Sequence, residues 1–322
     1  MRIGIDLGGT KIEFIALSAT GEVLVRERRP TPRGDYRATI ELIRSGILAI
    51  EARLSLRGTV GIGIPGSVSP ATGLVKGGNS TWLNGRKLDF DLAQALGRDV
   101  RMANDANCFA LSEAVDGAAR NAHVVFGVIL GTGTGGGLVI GGKPLIGANA
   151  IAGEWGHNPL PWRDADLEGE SGASERSCWC GRTDCIETWL SGPGFSRSYR
   201  DLTGREIPPE EIVNRAANGE NEAERVLCGY ENRLARALAT TINMLDPDAI
   251  VLGGGMSNIQ RLYRSVPALW QRWAFSDRVE TPLLAPAHGD SSGVRGAAWL
   301  WETPGRKISG CRNRPAAVFR DL

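Results

Sequence analysis

No apolar run in this sequence reaches the roughly 18 residues that a membrane-spanning helix requires. The chain also lacks an excess of either charge, since 37 Lys and Arg residues stand against 36 Asp and Glu residues. This balance gives no electrostatic basis for binding nucleic acid or an anionic membrane surface. The first residues lack the basic and then apolar order of a secretory signal peptide. We therefore expect a cytoplasmic protein with reduced thiols and with neither a nucleic-acid nor a membrane partner.

Glycine, by contrast, is abundant, with 43 among 322 residues, which indicates a turn-rich α/β protein long enough for two lobes. The phosphate-binding motif GxxxxGK[ST] is absent. Residues 131–137, GTGTGGG, match the dinucleotide-binding pattern G-x-G-x-x-G, but a strand pattern follows where that fold requires a helix. A Rossmann site is therefore excluded. The later turn Gly253-Gly254-Gly255 would let a flat base or ribose lie on the backbone, although alone it is weak evidence.

Two segments share a strand–glycine loop–strand pattern. In the first, an apolar strand leads through Asp6-Leu7-Gly8-Gly9-Thr10-Lys11 into a strand at residues 12–17, and in the second, a strand at 123–130 leads through GTGTGGG into another strand. Glycine turns let backbone N–H groups approach phosphate oxygens, while Asp6 suits water-bound Mg²⁺ and Lys11 suits phosphate. Alone, the first loop is better explained as an ordinary hairpin. The repetition predicts a duplicated fold with phosphates gripped between two glycine hairpins.

Asn104 and Asp105 stand between a predicted strand at residues 100–103 and a predicted helix at 108–119. Either side chain could cap the helix, and capping alone would explain the pair. A carboxylate held at a cleft edge could also act as a general base. The two roles are compatible, so both interpretations stay open at this point.

The segment 153–187 combines a histidine with three closely spaced cysteines, namely His157, Cys178, Cys180 and Cys185. Three thiols and one imidazole form a Cys₃His set, which is a standard closed tetrahedral zinc site. Reduced cysteines buried in a core, or a disulfide, are the alternative explanations. A structural zinc ion here would hold Glu154 and Glu187 in the wall of one polar pocket.

Together these motifs resemble those of the ROK family, the bacterial sugar-kinase group within the actin–hexokinase superfamily. The motifs that carry the resemblance are DLGGTK from Asp6, GIPG from Gly63, ANDAN from Ala103, GTGTGGG from Gly131, GEWGH from Gly153, CWCGRTDCIE from Cys178 and LGGG from Leu252. The resemblance covers residues 1–301. It implies an α/β fold of the actin/hexokinase-like (ribonuclease H-like) type, with two duplicated lobes and an interlobe cleft.

The resemblance also implies roles for individual residues. Asp105 would be the catalytic base for the 6-hydroxyl of a hexose. The sugar would be held by Gly66, Asn104, Glu154, His157 and Glu187. ATP and Mg²⁺ would be held by Asp6, Gly8, Gly9, Thr10, Lys11, Gly131, Thr132, Gly133, Gly135, Gly254 and Gly255. A structural Zn²⁺ would be bound by His157, Cys178, Cys180 and Cys185.

Within the family, NSTWLNG from Asn79 and AGEWGHNPLPW from Ala152 resemble bacterial fructokinase, so we expect ATP-dependent phosphorylation of D-fructose, and of mannose as a second substrate. The alternatives are a ROK glucokinase or N-acetylhexosamine kinase. A sugar-sensing transcriptional regulator is disfavoured, because such proteins place a helix-turn-helix before the kinase-like part and Asp6 leaves no room for one. A homodimer is implied by the family resemblance.

The expected domain boundaries follow the repeated pattern. An N-terminal lobe would comprise residues 1–118, with a C-terminal helix at 292–302 packed on it. A C-terminal lobe at 119–291 would contain the zinc-binding segment, and a poorly ordered tail would follow at 303–322. One departure from the family is Asp184, where the metal-binding loop usually has glycine; aspartate tolerates left-handed backbone, so we expect the turn to persist.

Overall fold

The structure is a computed structural model that describes residues 1–78, 80–163, 175–289 and 292–301. The expected tail at 303–322, the last residue of the expected C-terminal helix and Asn79 lie outside these residues. The strands are β1 (Arg2–Leu7), β2 (Lys11–Leu17), β3 (Val23–Pro30), β4 (Thr59–Ile64), β5 (Ser67–Val68), β6 (Val75–Lys76), β7 (Val100–Asn104), β8 (Val124–Leu130), β9 (Thr134–Ile140), β10 (Lys143–Pro144), β11 (Ala249–Gly253) and β12 (Leu283–Leu284). The α-helices are α1 (Tyr36–Leu54), α2 (Leu88–Leu96), α3 (Asp105–Val115), α4 (Glu187–Leu190), α5 (Gly192–Thr203), α6 (Pro209–Ala217), α7 (Asn221–Leu245), α8 (Leu262–Trp270) and α9 (Ser292–Ala298).

The two large sheets repeat one topology. The first has the strand order β3-β2-β1-β4-β7 and the second has the order β10-β9-β8-β11-β12. In each sheet three antiparallel strands come first in the chain, and parallel strands are then added beside the first of them. The predicted duplication is confirmed. The strand β9 also follows the second glycine loop directly, which confirms that no dinucleotide-binding helix begins there.

Helix α3 lies between the two sheets and is buried along almost its whole length. One apolar cluster joins its Phe109 and Ala110 to Ile15 of the first sheet and to Val125 and Val251 of the second. Helix α9 belongs to the same cluster and also packs on β1 and β4. Because α3 begins at Asp105, this packing fixes that residue at the junction of the two halves.

Close approach of α9 to the first sheet depends on glycine. A Cβ added at Gly61 would overlap the carbonyl oxygen of Ala297, and one at Gly4 would lie 2.7 Å from the backbone nitrogen of Ala298. Backbone atoms cannot move aside cheaply in a packed core. The small residues in β1 and β4 therefore allow the helix to lie directly against the sheet.

Replacing Gly61 with alanine is expected to lower the free energy of unfolding by about 1–3 kcal/mol, because the added methyl group would overlap the backbone of α9. Thermal unfolding measures the loss. Gly229→Ala is the matched control, since Gly229 lies inside α7 and its Cβ would only reach ordinary contact, 3.5 Å from Arg233. The control should be neutral or stabilising. Equal melting temperatures for the two variants would contradict this account of the packing.

Helix α4 ends at Leu190, and the next helix, α5, begins at Gly192. Ser191 caps α5 by accepting a hydrogen bond from Gly194 N, and proline in a first helical turn has no N–H to satisfy. Among the described helices, none is both long and apolar enough to cross a lipid bilayer.

Candidate active site

Asp105 stands where β7 ends and α3 begins. The side chain of Asn104 accepts a hydrogen bond from Ala106 N at 2.9 Å, and Asp105 Oδ1 accepts from the same N–H at 2.8 Å. Asn104 also donates from Nδ2 to the carbonyl of Gly66 at 3.1 Å. The predicted capping role is therefore confirmed for Asn104. Capping leaves the second carboxylate oxygen of Asp105 available for other chemistry.

Acidic groups are concentrated around Asp105. Burial raises the pKa of Asp105 to about 6; the hydrogen bond from Ala106 opposes this rise and the charge of Glu154 adds to it. Burial also raises the pKa of Asp6 to about 7, with a further rise from Asp105 and an opposing effect from Lys11. The site thus brings carboxyl groups from β1 and α3 into electrostatic contact. A cation placed between such groups would be strongly stabilised.

A cleft beside Asp105 is lined by both halves of the molecule. Asn104 and Ser67 contribute from the first half, while Ala152 and Glu154 contribute from the segment after β10. Lys76 Nζ donates a hydrogen bond to the carbonyl of Asn149 at 2.9 Å. The predicted interlobe cleft is therefore present, and its walls carry both carboxylate and amide groups.

The GEWGH segment is held tightly against β9. A Cβ at Gly153 or at Gly156 would overlap the backbone of β9, so both positions require glycine. Trp155 is buried between them and donates from Nε1 to the carbonyl of Gly135 at 2.9 Å. This anchoring fixes Glu154 in the wall of the cleft and His157 at the cysteine-rich segment.

Glu187 connects the second glycine hairpin to the cysteine-rich segment. Its Oε2 accepts a hydrogen bond from Thr134 N at 2.9 Å, and its Oε1 accepts from Trp179 Nε1 at 2.7 Å. A Cβ at Gly133 would lie 2.6 Å from Oε2, so a side chain at this position would displace the carboxylate. The carboxylate therefore holds the β8–β9 turn and the cysteine-rich segment in one arrangement.

The four predicted metal ligands form one cluster. The ligand atoms of His157, Cys178, Cys180 and Cys185 all lie within 4.8 Å of one another. His157 Nδ1 and Cys178 Sγ are 3.6 Å apart, as are Cys180 Sγ and Cys185 Sγ. Ligands about 2.3 Å from a tetrahedral zinc ion stand at such separations, and a disulfide requires about 2.05 Å. The donor set thus fits zinc, with Nδ1 as the nitrogen of His157 that faces Cys178.

The turn at Asp184 forms although this position lacks the glycine that is usual in the family. Asp184 adopts a left-handed backbone with φ of 54°, as expected from the sequence. Its carboxylate accepts a hydrogen bond from Arg176 N at 3.0 Å and forms an ion pair with Arg163. The side chain therefore offsets the backbone strain that glycine would avoid.

The glycine turns of the second sheet meet at the carboxyl ends of the parallel strands β8 and β11. Gly254 has φ of 79°, and a Cβ there would overlap the carbonyl of Leu130, so the backbone itself requires glycine. At Gly131 and Gly255 a Cβ would stand in open space. Thr132 is exposed at the tip of the turn. Room therefore remains beside the backbone at Gly131 and Gly255 for a bound group.

The first glycine turn lies on the other sheet and is fixed by residues that sequence reasoning missed. Gly8 N donates to the carbonyl of Lys11 at 3.1 Å, which closes the hairpin. Thr31 Oγ1 donates to the carbonyl of Gly8 at 2.8 Å, and Arg33 Nε donates to that of Gly9 at 2.7 Å. The sequence Thr-Pro-Arg after β3 was the available signal for this support.

Arg176 is a second residue that sequence reasoning missed. It is buried, and its guanidinium lies 3.7 Å from the centre of the Trp189 ring. It donates to the carbonyls of Thr188 and Gly194 at 2.9 and 3.0 Å. Burial lowers its pKa to about 10, so the side chain is still charged at neutral pH. Arg176 thereby fastens the cysteine-rich segment to α4 and α5.

Comparisons with known proteins agree with this geometry. The model of the ROK family matches residues 2–304. The chain is 39% identical over 300 residues to an N-acetyl-D-glucosamine kinase of Pectobacterium atrosepticum, covering 93% of this chain and 98% of the relative. It is 41% identical over 303 residues to an N-acetyl-D-glucosamine kinase of Pasteurella multocida, covering 94% and 99%.

Solved structures show the same fold. A ROK hexokinase from Thermus thermophilus superimposes with a TM-score of 0.80 at 28% identity, covering 93% of this chain and 97% of that one. A ROK family glucokinase from Streptomyces griseus, solved with glucose and AMPPNP, gives 0.70 at 25% identity, covering 92% and 97%. A ROK family transcriptional regulator, a homologue of the E. coli MLC protein, gives 0.75 at 22% identity, covering 93% and 77%, and shows the shared fold alone. These likenesses confirm the actin/hexokinase-like fold class, and the chain therefore belongs to the ROK family, within its group of sugar kinases.

Proposed function

We propose that this protein transfers the γ-phosphate of ATP to the 6-hydroxyl group of N-acetyl-D-glucosamine. The observation that carries the reaction is a half-buried carboxylate, Asp105, at the edge of a cleft between two glycine-hairpin sheets. The relatives support the choice of sugar, because two N-acetyl-D-glucosamine kinases are 39% and 41% identical over nearly the whole chain. They favour the N-acetylhexosamine alternative over fructose and mannose, which the motif resemblance had indicated.

Asp105 acts as the general base in this proposal. A group with a pKa of about 6 is mostly ionised at neutral pH, and it can accept the proton of the attacking hydroxyl. The capping interaction with Ala106 N occupies Oδ1 and fixes the orientation of the carboxylate. Phosphoryl transfer depends mainly on positioning and charge neutralisation, so a fixed base at the junction of the two halves suits the reaction.

ATP and Mg²⁺ would be held by residues of the two glycine hairpins and of the glycine turn after β11. Asp6, half-buried and in electrostatic contact with Asp105, would bind a water-coordinated Mg²⁺, and Lys11 would contact phosphate. The open space at Gly131 and Gly255 would receive the nucleotide, which supports the assignment of the remaining glycine-turn residues, Gly8, Gly9, Thr10, Thr132, Gly133, Gly135 and Gly254. Bound Mg²⁺ supplies charge neutralisation at the phosphates. These assignments follow the family motifs and the geometry of the turns.

The sugar would occupy the cleft that Asn104 and Glu154 line. Gly66 has φ of 81° and receives a hydrogen bond from Asn104, which orients that amide for a sugar hydroxyl. Glu154 lines the same cleft. Glu187 and Nε2 of His157 would complete the set of partners. Zinc bound by His157 and the three cysteines would supply no chemistry to the reaction and would hold His157 and Glu187 in place.

Two further proposals concern organisation. The packing of α9 on β1 and β4 supports an N-terminal lobe of residues 1–118 that includes α9, with residues 119–291 as the other lobe. A homodimer, implied by the family resemblance, stays a prediction. A role as transcriptional regulator is disfavoured because the chain carries nearly equal numbers of basic and acidic residues and because the carboxylate of Asp105 and the open glycine turns suit catalysis.

A coupled ADP-release assay over N-acetylglucosamine, N-acetylmannosamine, glucose, mannose and fructose tests the substrate. We expect kcat/KM for N-acetylglucosamine to exceed that for each of the plain hexoses by about tenfold or more, since removing one substituent from a fitted pocket costs about that much. Phosphorus NMR of the product should show a 6-phosphate. A preference for fructose, or ADP release that does not depend on sugar, would overturn the proposed function.

A further inference from the structure

Asn107 has a buried amide that no described residue satisfies. It lies two residues after Asp105 in the first turn of α3, and its side chain is 6% exposed. Oδ1 is inaccessible to solvent and has no hydrogen-bond partner among the residues that the structure describes. A buried acceptor without a donor destabilises a fold, so such an atom in a native protein calls for an explanation.

The position of Asn107 supplies that explanation. Asn107 lines the cleft together with Asn104 and Glu154. The buried Ser112 Oγ, on the same helix, also has no partner, but Ser112 does not line the cleft. Burial without a partner therefore does not by itself mark a ligand contact, and the position of Asn107 in the wall of the cleft is the feature that distinguishes it.

The remaining wall of the cleft is largely apolar. The apolar side chains that line it include Ile64, Val68, Met102, Ile146, Ala150 and Ala152. Sugar hydroxyls gain nothing from such a surface, whereas a methyl group gains from burial there. An acetamido group offers both features that this cleft can use, an N–H donor for one unpaired acceptor and a methyl group for an apolar wall.

We propose that Asn107 is the residue that recognises the 2-acetamido group of the sugar, with Oδ1 accepting a hydrogen bond from the amide N–H. The inference rests on the proposed function and adds a specificity-determining residue to it. Asn107 is held in place from behind, because a Cβ at Gly137 of β9 would lie only 2.8 Å from its Cα. The acceptor is thus preorganised, so the site can discriminate between sugars whose 2-substituent carries an N–H donor and sugars that lack one.

The wild-type protein can be tested with a substrate pair that differs only in the donor. In the ketone analogue of N-acetylglucosamine a CH₂ group replaces the amide N–H, so shape and methyl group are kept while the donor is lost. We expect kcat/KM to be about tenfold lower for the ketone, as for one lost hydrogen bond inside a closed site. Equal values for the amide and the ketone would overturn the inference.

Two variants identify the acceptor. Asn107→Leu keeps the side-chain size but removes the amide, and it should treat the amide and the ketone alike, within about twofold. Ser112→Ala removes a buried unpaired oxygen outside the cleft and should keep the wild-type preference. An Asn107→Leu protein that still prefers the amide tenfold would assign the recognition to another residue and refute the inference.

The same measurements separate this inference from the proposed function. If wild-type protein phosphorylates another hexose and leaves N-acetylglucosamine untouched, the proposed function fails and the inference fails with it. If N-acetylglucosamine is a good substrate and the ketone analogue is equally good, the inference alone fails.

Discussion

Replacing Asp105 with asparagine is expected to lower kcat by about 10²–10⁴-fold while the protein still folds and binds its sugar, because a general base typically contributes that much. The amide keeps the size of the side chain and can still accept the capping hydrogen bond from Ala106 N. It cannot accept a proton. Steady-state kinetics measure the loss of turnover, and calorimetric titration with sugar alone measures retained binding.

The matched control for this prediction is Asp99→Asn, which changes an exposed carboxylate just before β7. Turnover in the control should stay within about twofold of wild type, because an exposed carboxylate of this kind contributes little to folding or catalysis. Near-native turnover of Asp105→Asn would remove Asp105 from the role of base. Joint loss of turnover and of sugar binding would point to a positioning role.

The pH dependence of kcat tests the same assignment. The base works only when ionised, and the pKa of Asp105 is raised to about 6, mainly by burial. Activity should therefore be retained above that value and fall about tenfold for each pH unit below it. The neighbouring groups that face Asp105 are Asp6, Glu154 and Asn104. A profile that stays flat down to pH 4 would contradict a base with a raised pKa.

The parts of this molecule that the sequence predicts well are those encoded within short stretches. The two glycine hairpins and their strands could be recognised because apolar strands flank each turn directly, and the repeated sheets confirm them. The clustering of the candidate metal ligands was predictable because three thiols fall within eight positions. The Asp184 turn followed from the tolerance of aspartate for left-handed backbone. In each of these cases the physical cause lies within a few residues of its effect.

The side-chain environments that could not be predicted from the sequence depend on contacts with residues that are distant in the chain. Asn104 and Asn107 occur in one five-residue motif, yet Asn104 caps a helix while Asn107 Oδ1 is left unpaired. Only the fold decides which amide finds a donor. Arg176 reads in the sequence as an ordinary surface charge, but the ring of Trp189 and carbonyls from two helices surround it. Such environments depend on packing between residues that are distant in the sequence, and local sequence patterns do not predict that packing.

A zinc ion is the other component with a large expected effect. We expect the purified protein to contain about one zinc per chain, measured by plasma mass spectrometry, because the Cys₃His donors already stand at tetrahedral separations. Cys180→Ser should lose the metal and lower kcat/KM by about 10²-fold. The reason is positional, since His157 and Glu187 both contact the cysteine-rich segment and a shift of about 1 Å in such groups can cost that much.

Cys228→Ser is the matched control, because Cys228 is an exposed thiol on α7 outside the cluster. It should keep both the metal and the activity. Chelation of the wild-type protein should reproduce the Cys180→Ser defect, and added zinc should restore the chelated protein but not the variant, because only the former keeps all four ligands. A metal-free wild-type protein with full activity would show that hydrogen bonds alone, such as that from Trp179 to Glu187, suffice to hold the pocket wall.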